Sequence, residues 1–170
     1  NIHNPLTTDS RLYAYSHDWT HFNFGFLFEE NAKNVYDGKS SLRLNTWSIK
    51  SQTGLAQYLA PQIKQYGKGT YRISLWAKGK PLNADTIVTN IPAKLGIVQS
   101  GWRIHDGANY IGINNVGDCT VTDEWKQFTY DVVVTDPTLK GYDSAFMFFG
   151  FMNAISYDVF VDNVEVTFIK

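Results

Sequence analysis

The chain has 170 residues, of which 44% are hydrophobic and 18% charged, with a formal net charge of -1. That suffices for one sizeable core and is too short for two ordinary domains, so residues 1–170 are expected to form a single domain. The composition argues against a disordered chain and a polyanion binder such as a nucleic-acid protein, and no run nears the roughly 18 apolar residues of a membrane span.

The opening Asn1–Pro5 has no signal-peptide character and reads as a cut out of a longer chain. In chain order, the turn signal Tyr36-Asp37-Gly38-Lys39 leads into SSLRLN, a strand with Leu42 and Leu44 inward. Gly54–Ala60 is a further strand. Residues 55–66 come nearest to a helical period but contain Pro61, and read as a strand followed by a loop. In Gly69–Lys80, Tyr71, Ile73, Leu75 and Ala77 alternate with Arg72, Ser74, Trp76 and Lys78, which is a long strand with one buried face. Ala93–Ile104 follows as a strand. Trp125–Val134 alternates in the same way, with Phe128, Tyr130, Val132 and Val134 on one side. Ala145–Met152 is a strand whose phenylalanines occupy both parities, so one pair packs into the core and the other lies on the second face. Tyr157–Phe168 shifts parity between Val161 and Val164, which predicts a bulge near Asp162-Asn163. Many strands separated by Gly, Asn and Asp turns predict an all-β sandwich or jelly roll of two antiparallel sheets.

Cys119 is the single cysteine, which excludes an internal disulfide, a thiolate zinc cluster and a CxxC pair, and reads as a small buried hydrophobe. No GxGxxG, GxxxxGK, HExxH or GxSxG motif is present. The 5 Trp, 10 Tyr and 11 Phe exceed what one core needs, so some rings face water or a ligand.

Tyr15-Ser16-His17-Asp18-Trp19, Val35–Leu42, Gly69–Lys78, Thr122–Phe128 and Tyr157–Val164 occur in an order and spacing that resembles the jelly-roll group of carbohydrate-binding modules, including families 4, 9, 16 and 22. The resemblance spans nearly the whole chain. It implies a non-catalytic module with a polysaccharide cleft on one concave sheet, covalently attached to a catalytic domain, secreted or at the cell surface, and monomeric. A β-linked plant cell-wall glycan, β-glucan, xylan or a relative, is the expected partner. The alternative from a different class is a spacer domain with no glycan affinity.

A sugar offers a C–H face and a rim of hydroxyls, so its site needs flat rings and planar or forked polar groups. Trp76 shares a strand face with Arg72, and is read either as a cleft ring or as extra core under a loop. Trp47 lies among polar residues. Trp102 and Arg103 have Gln99 and Tyr110 nearby. These seven residues form the expected carbohydrate site, while Trp19 and Trp125 are assigned to the core. A glycosidase needs two carboxyl groups roughly 5 to 9.5 Å apart; Asp158 and Asp162, four residues apart on a strand, are separated by about 13 Å. No enzyme activity is expected. The resemblance also implies a structural calcium ion, with Asp162 as a ligand, carbonyl oxygens from Lys39 or its neighbours, and a contribution from Ser16 or Asp18. The alternative for Asp162 is a cap on the bulge, bonded to backbone amides.

Overall fold

The alternation in Gly69–Pro81 produces the expected two-faced strand: Tyr71, Ile73, Leu75 and Ala77 are fully buried, and Arg72, Ser74, Trp76 and Lys78 line the opposite face. The computed structural model describes residues 2–3, 12–16, 26–46, 53–81, 91–99, 114–151 and 157–170. Along these run β1 (Ile2–His3), β2 (Leu12–Ser16), β3 (Phe26–Glu29), β4 (Ser41–Thr46), β5 (Thr53–Tyr58), helix α1 (Ala60–Tyr66), β6 (Gly69–Pro81), β7 (Ile91–Gln99), β8 (Asn114–Val121), β9 (Lys126–Val134), β10 (Ala145–Phe151) and β11 (Tyr157–Ile169).

The strands form two antiparallel sheets. One has the order β3-β4-β11-β6-β9, with β1 added alongside the second half of β11, and the other has the order β2-β5-β10-β7-β8. Leu42, Leu44, Ile73, Leu75, Val159 and Val161 from the first sheet meet Leu55, Leu95, Ile97, Met147 and Phe149 from the second in one apolar core. Fully burying each such side chain stabilises the fold by roughly 1.5–3 kcal/mol. The architecture is the all-β jelly-roll sandwich expected from the sequence.

The bulge also falls where the parity shift puts it. Asp162 pairs with Trp76 and Glu165 with Ser74, so β11 carries one extra residue there. Asn163 takes it up at φ 47, a left-handed conformation that asparagine tolerates, and both Val161 and Val164 then face the core.

The loop expected after Gly54–Ala60 is instead a helix. Pro61 stands in the first turn of α1, where its missing N–H removes no intrahelical bond, and Ile63 anchors the turn in the core. Gly67, at φ 78, ends the helix by donating its N–H to the Ile63 carbonyl at 2.9 Å. Of the strand expected over 93–104, residues 91–99 form β7 and residues 100–104 lie outside the described residues.

Candidate functional site

The outer face of the six-stranded sheet is dressed with charge pairs. Arg72 donates to both carboxylate oxygens of Asp131, its register partner on β9, at 2.8 Å each, and this holds the Asp131 carboxyl below its ordinary range. Arg43 on β4 makes the same fork to Asp158, at 2.7 and 2.9 Å. Trp76 is half-buried beneath Tyr36, whose ring stacks on it at 3.9 Å and 14°, and Trp125 tilts against Tyr36 at 5.7 Å. Trp125 is therefore half-buried on this outer face, not in the core between the sheets.

The segment bearing Tyr36 is fixed locally and by β11. Asn31 caps the 3-10 turn Ala32–Asn34 by accepting the Lys33 N–H, and Ser41 Oγ donates to the Asn34 carbonyl at 2.6 Å. Asp162, buried on β11, then accepts three backbone N–H groups: Tyr36 at 2.9 Å and Asp37 at 3.2 Å on Oδ2, and Asn163 at 2.8 Å on Oδ1.

Those bonds correct the expected calcium site. A calcium ligand set needs six to eight oxygens facing one point, whereas both Asp162 oxygens face amide donors, and among the described residues no three His, Cys, Asp or Glu side chains gather into a metal-binding group. Asp162 acts as the bulge cap, and Lys39 sits in an exposed turn. Ser16 pairs through its backbone with Thr53, and Asp18 lies outside the described residues.

The outer face of the five-stranded sheet has a different character. Across the strands, register sets Tyr58, Phe146, Val98 and Asn114 in one row, and Tyr13, Ala56, Phe148, Gly96 and Val116 in the next. The third row holds Tyr15, Gly54, Gly150, Lys94 and Asp118. Val98 and Phe148 form an apolar cluster separate from the main core, flanked by half-buried Phe146 and Val116. A Cβ on Gly150 would lie 2.0 Å from the tip of the Phe148 ring, so the glycine lets that ring lie along the sheet surface. Tyr58 and Phe146 form a tilted pair 5.2 Å apart, with the Tyr58 hydroxyl donating to the Asp143 carbonyl. At the other end of the face Lys94 pairs with Asp118 at 2.5 Å.

The two sheets thus divide the expected site residues. Arg72 and Trp76 lie together on the six-stranded sheet, and Gln99 ends β7 of the other sheet opposite Ala145. Trp47, Trp102, Arg103 and Tyr110 lie outside the described residues. Sequence reasoning singled out the phenylalanines of β10 but missed Tyr58, Val98 and Val116. The available signal was glycine inside otherwise regular strands, at 54, 96 and 150, beside phenylalanines of both parities. Cys119 packs against the core, and burial pushes its thiol up to about 12, so it is no nucleophile.

No family model and no curated protein matches the sequence. Among solved structures, the chain is similar to a second family 16 carbohydrate-binding module, with a TM-score of 0.56 at 17% identity over 86% of this chain and 87% of that one. A xylan-binding family 22 module from Paenibacillus barcinonensis gives 0.60 at 16% identity over 94% and 86%. The C-terminal family 22 module of Clostridium thermocellum Xyn10B gives 0.62 at 12% identity over 99% and 92%. The chain shares the fold of these carbohydrate-binding modules, as the resemblance implied.

Proposed function

We propose that the chain binds a polysaccharide without cleaving it, through the outer face of its five-stranded sheet. The observation that carries this reading is the apolar cluster of Val98, Phe148, Phe146 and Val116, on a face that plays no part in the core between the sheets. Val98 and Phe148 are buried within that cluster, so the surface it offers a ligand is half-buried Phe146 and Val116 with exposed Tyr58 beside them, whereas the rings on the other sheet's outer face stack on one another. In this reading Tyr58 and Phe146 stack on sugar C–H faces, and Lys94 and Asp118 meet hydroxyls; Gln99 is set aside, because its register partner Ala145 faces the core. Arg72 and Trp76 are set aside, because Asp131 occupies one and Tyr36 the other.

The ligand is a β-linked plant cell-wall glycan, and the module holds an attached glycoside hydrolase on it, outside the cell. Support comes from the structural neighbours, one a xylan-binding module and another, a family 61 module, solved with β-1,4-galactotriose. Calorimetric titration with β-glucans, xylan, xyloglucan, mannan and galactan tests this. Binding of at least one is expected, with a Kd between roughly 1 µM and 1 mM. No heat and no gel retardation with any of them would leave a spacer domain.

A further inference from the structure

We infer that the outer face of the six-stranded sheet carries a second site, which takes one carboxylate-bearing sugar ring, a uronic acid. It lies on the opposite side of the sandwich from the proposed polysaccharide face, so either site can fail without the other.

The site is a cavity of about 260 Å³ beside the Tyr36 segment, lined by Lys33, Asn34, Lys78, Lys80 and the ring of Phe160. A volume just below the roughly 300–1,000 Å³ of pockets for drug-sized ligands suits one ring and not a chain. Among the described residues Arg43, Lys64, Arg72 and Lys94 each meet a carboxylate within 4 Å and Lys39, Lys68, Lys126, Lys140 and Lys170 do not, so what sets Lys33, Lys78 and Lys80 apart is that they line one cavity. Lys33, Lys78 and Lys80 have no ion pair among the described residues.

Lys78 is the centre of the cluster. Its ammonium lies 5.3 Å from the Trp125 ring and 5.6 Å from the Phe160 ring, and donates to the Lys33 carbonyl oxygen. An ammonium has three donors, and its charge is costly to bury without an opposite charge. Burial first, and then neighbouring Lys80, hold the Lys78 pKa below its ordinary value, and an arriving carboxylate would relieve both. Glu29 supplies little relief, since it is engaged by Arg43, Asn34 and the Asn31 N–H. Asp123 lines the cavity as its one acid, against the three lysines. Phe160, nearly buried, forms an apolar floor to the cavity, and the half-buried Trp125 ring stands beside Lys78, which distinguishes the site from a bare anion hole. Three cations around a one-ring cavity are too few and too compact to track a nucleic-acid backbone.

The test is a tryptophan-fluorescence titration, since Trp125 adjoins the site, with trigalacturonate, neutral β-1,4-galactotriose and sodium sulfate. Trigalacturonate should bind, more weakly as salt rises, and the double variant Lys33→Gln/Lys80→Gln should lose about tenfold or more in affinity for it at an unchanged melting temperature. Arg72→Gln, which removes a paired cation from the same sheet, should bind as the wild type does. Equal affinity for galactotriose, displacement by sulfate at the concentration of the uronate, or full affinity in the double variant would each overturn the inference. Neutral-polysaccharide binding by the same double variant reports separately on the five-stranded sheet.

Discussion

Tyr36 and Asp162, 126 residues apart in sequence, are joined by a 2.9 Å hydrogen bond from the Tyr36 backbone N–H to Asp162 Oδ2. The same carboxylate serves the N–H groups of Asp37 and Asn163, so it fastens the Tyr36 segment to the bulge of β11. Replacing Asp162 with Ala leaves three amides without their acceptor and should cost about 3 kcal/mol. For a chain of this size that lowers the melting midpoint by about 6–12 °C. Asp162→Asn should also destabilise, because its amide turns one acceptor into a donor. Melts of both variants within 1 °C of the wild type, at about 2–4 °C per kcal/mol, would contradict the capping role.

Trp76 depends on that fastening, since Tyr36 is its stacking partner. Trp76→Ala should cost roughly 2–3 kcal/mol through lost burial and ring contact and leave neutral-glycan affinity unchanged. Calorimetry read beside thermal melts decides it; a large loss of affinity at an unchanged melting temperature would return Trp76 to the sugar site.

Alkaline pH should weaken the fold through Tyr71. Burial raises its folded-state pKa to about 12, above the ordinary value of 10.0, and its hydroxyl donates to the Gly67 carbonyl at 2.8 Å. The native state then keeps a proton that the unfolded chain releases. The contribution is intact below pH 10 and falls as pH rises toward 12, by up to about 1.4 kcal/mol per pH unit. Tyr71→Phe should make that fall shallower in urea-unfolding series, and an unchanged slope would contradict the assignment.

Gly96 and Gly150 are expected to differ as sites for alanine. A Cβ at Gly96 would stand 2.1 Å from the Asn115 backbone oxygen on β8, and only a shift of that strand can relieve it. At Gly150 the obstacle is the Phe148 ring at 2.0 Å, a side chain that can turn. Overpacking costs about 1–3 kcal/mol, and Gly96→Ala should fall at or above the top of that range. Equal melting temperatures for the two variants would contradict this register.

The sequence was legible where one periodicity acted alone. β6, β9 and the bulge of β11 read directly from alternation, because one face of each strand meets the core and its registers allow no slip. α1 was missed because seven residues are too few to show a helical period and Pro61 resembles a breaker when it occupies the first turn. β8 escaped notice because it is an edge strand, and Asn115, Gly117, Asp118 and Thr120 give it little apolar alternation. The candidate surface was harder still. Whether Trp76 or Phe146 faces a ligand depends on what packs above its sheet, and Tyr36 reaches Trp76 from 40 residues away in sequence. The cluster of Lys33, Lys78 and Lys80 was hidden in a net charge near zero, since a whole-chain sum averages a local cluster away.

The most direct test of the account is to titrate wild type, Phe146→Ala and Arg72→Ala with the best-binding neutral polysaccharide and to melt each in parallel. The account predicts that Phe146→Ala loses about tenfold or more in affinity, as removal of one stacking ring does, while Arg72→Ala, exposed and paired with Asp131, binds as tightly as wild type. Affinity lost in Arg72→Ala and kept in a folded Phe146→Ala would contradict it and move the polysaccharide to the six-stranded sheet.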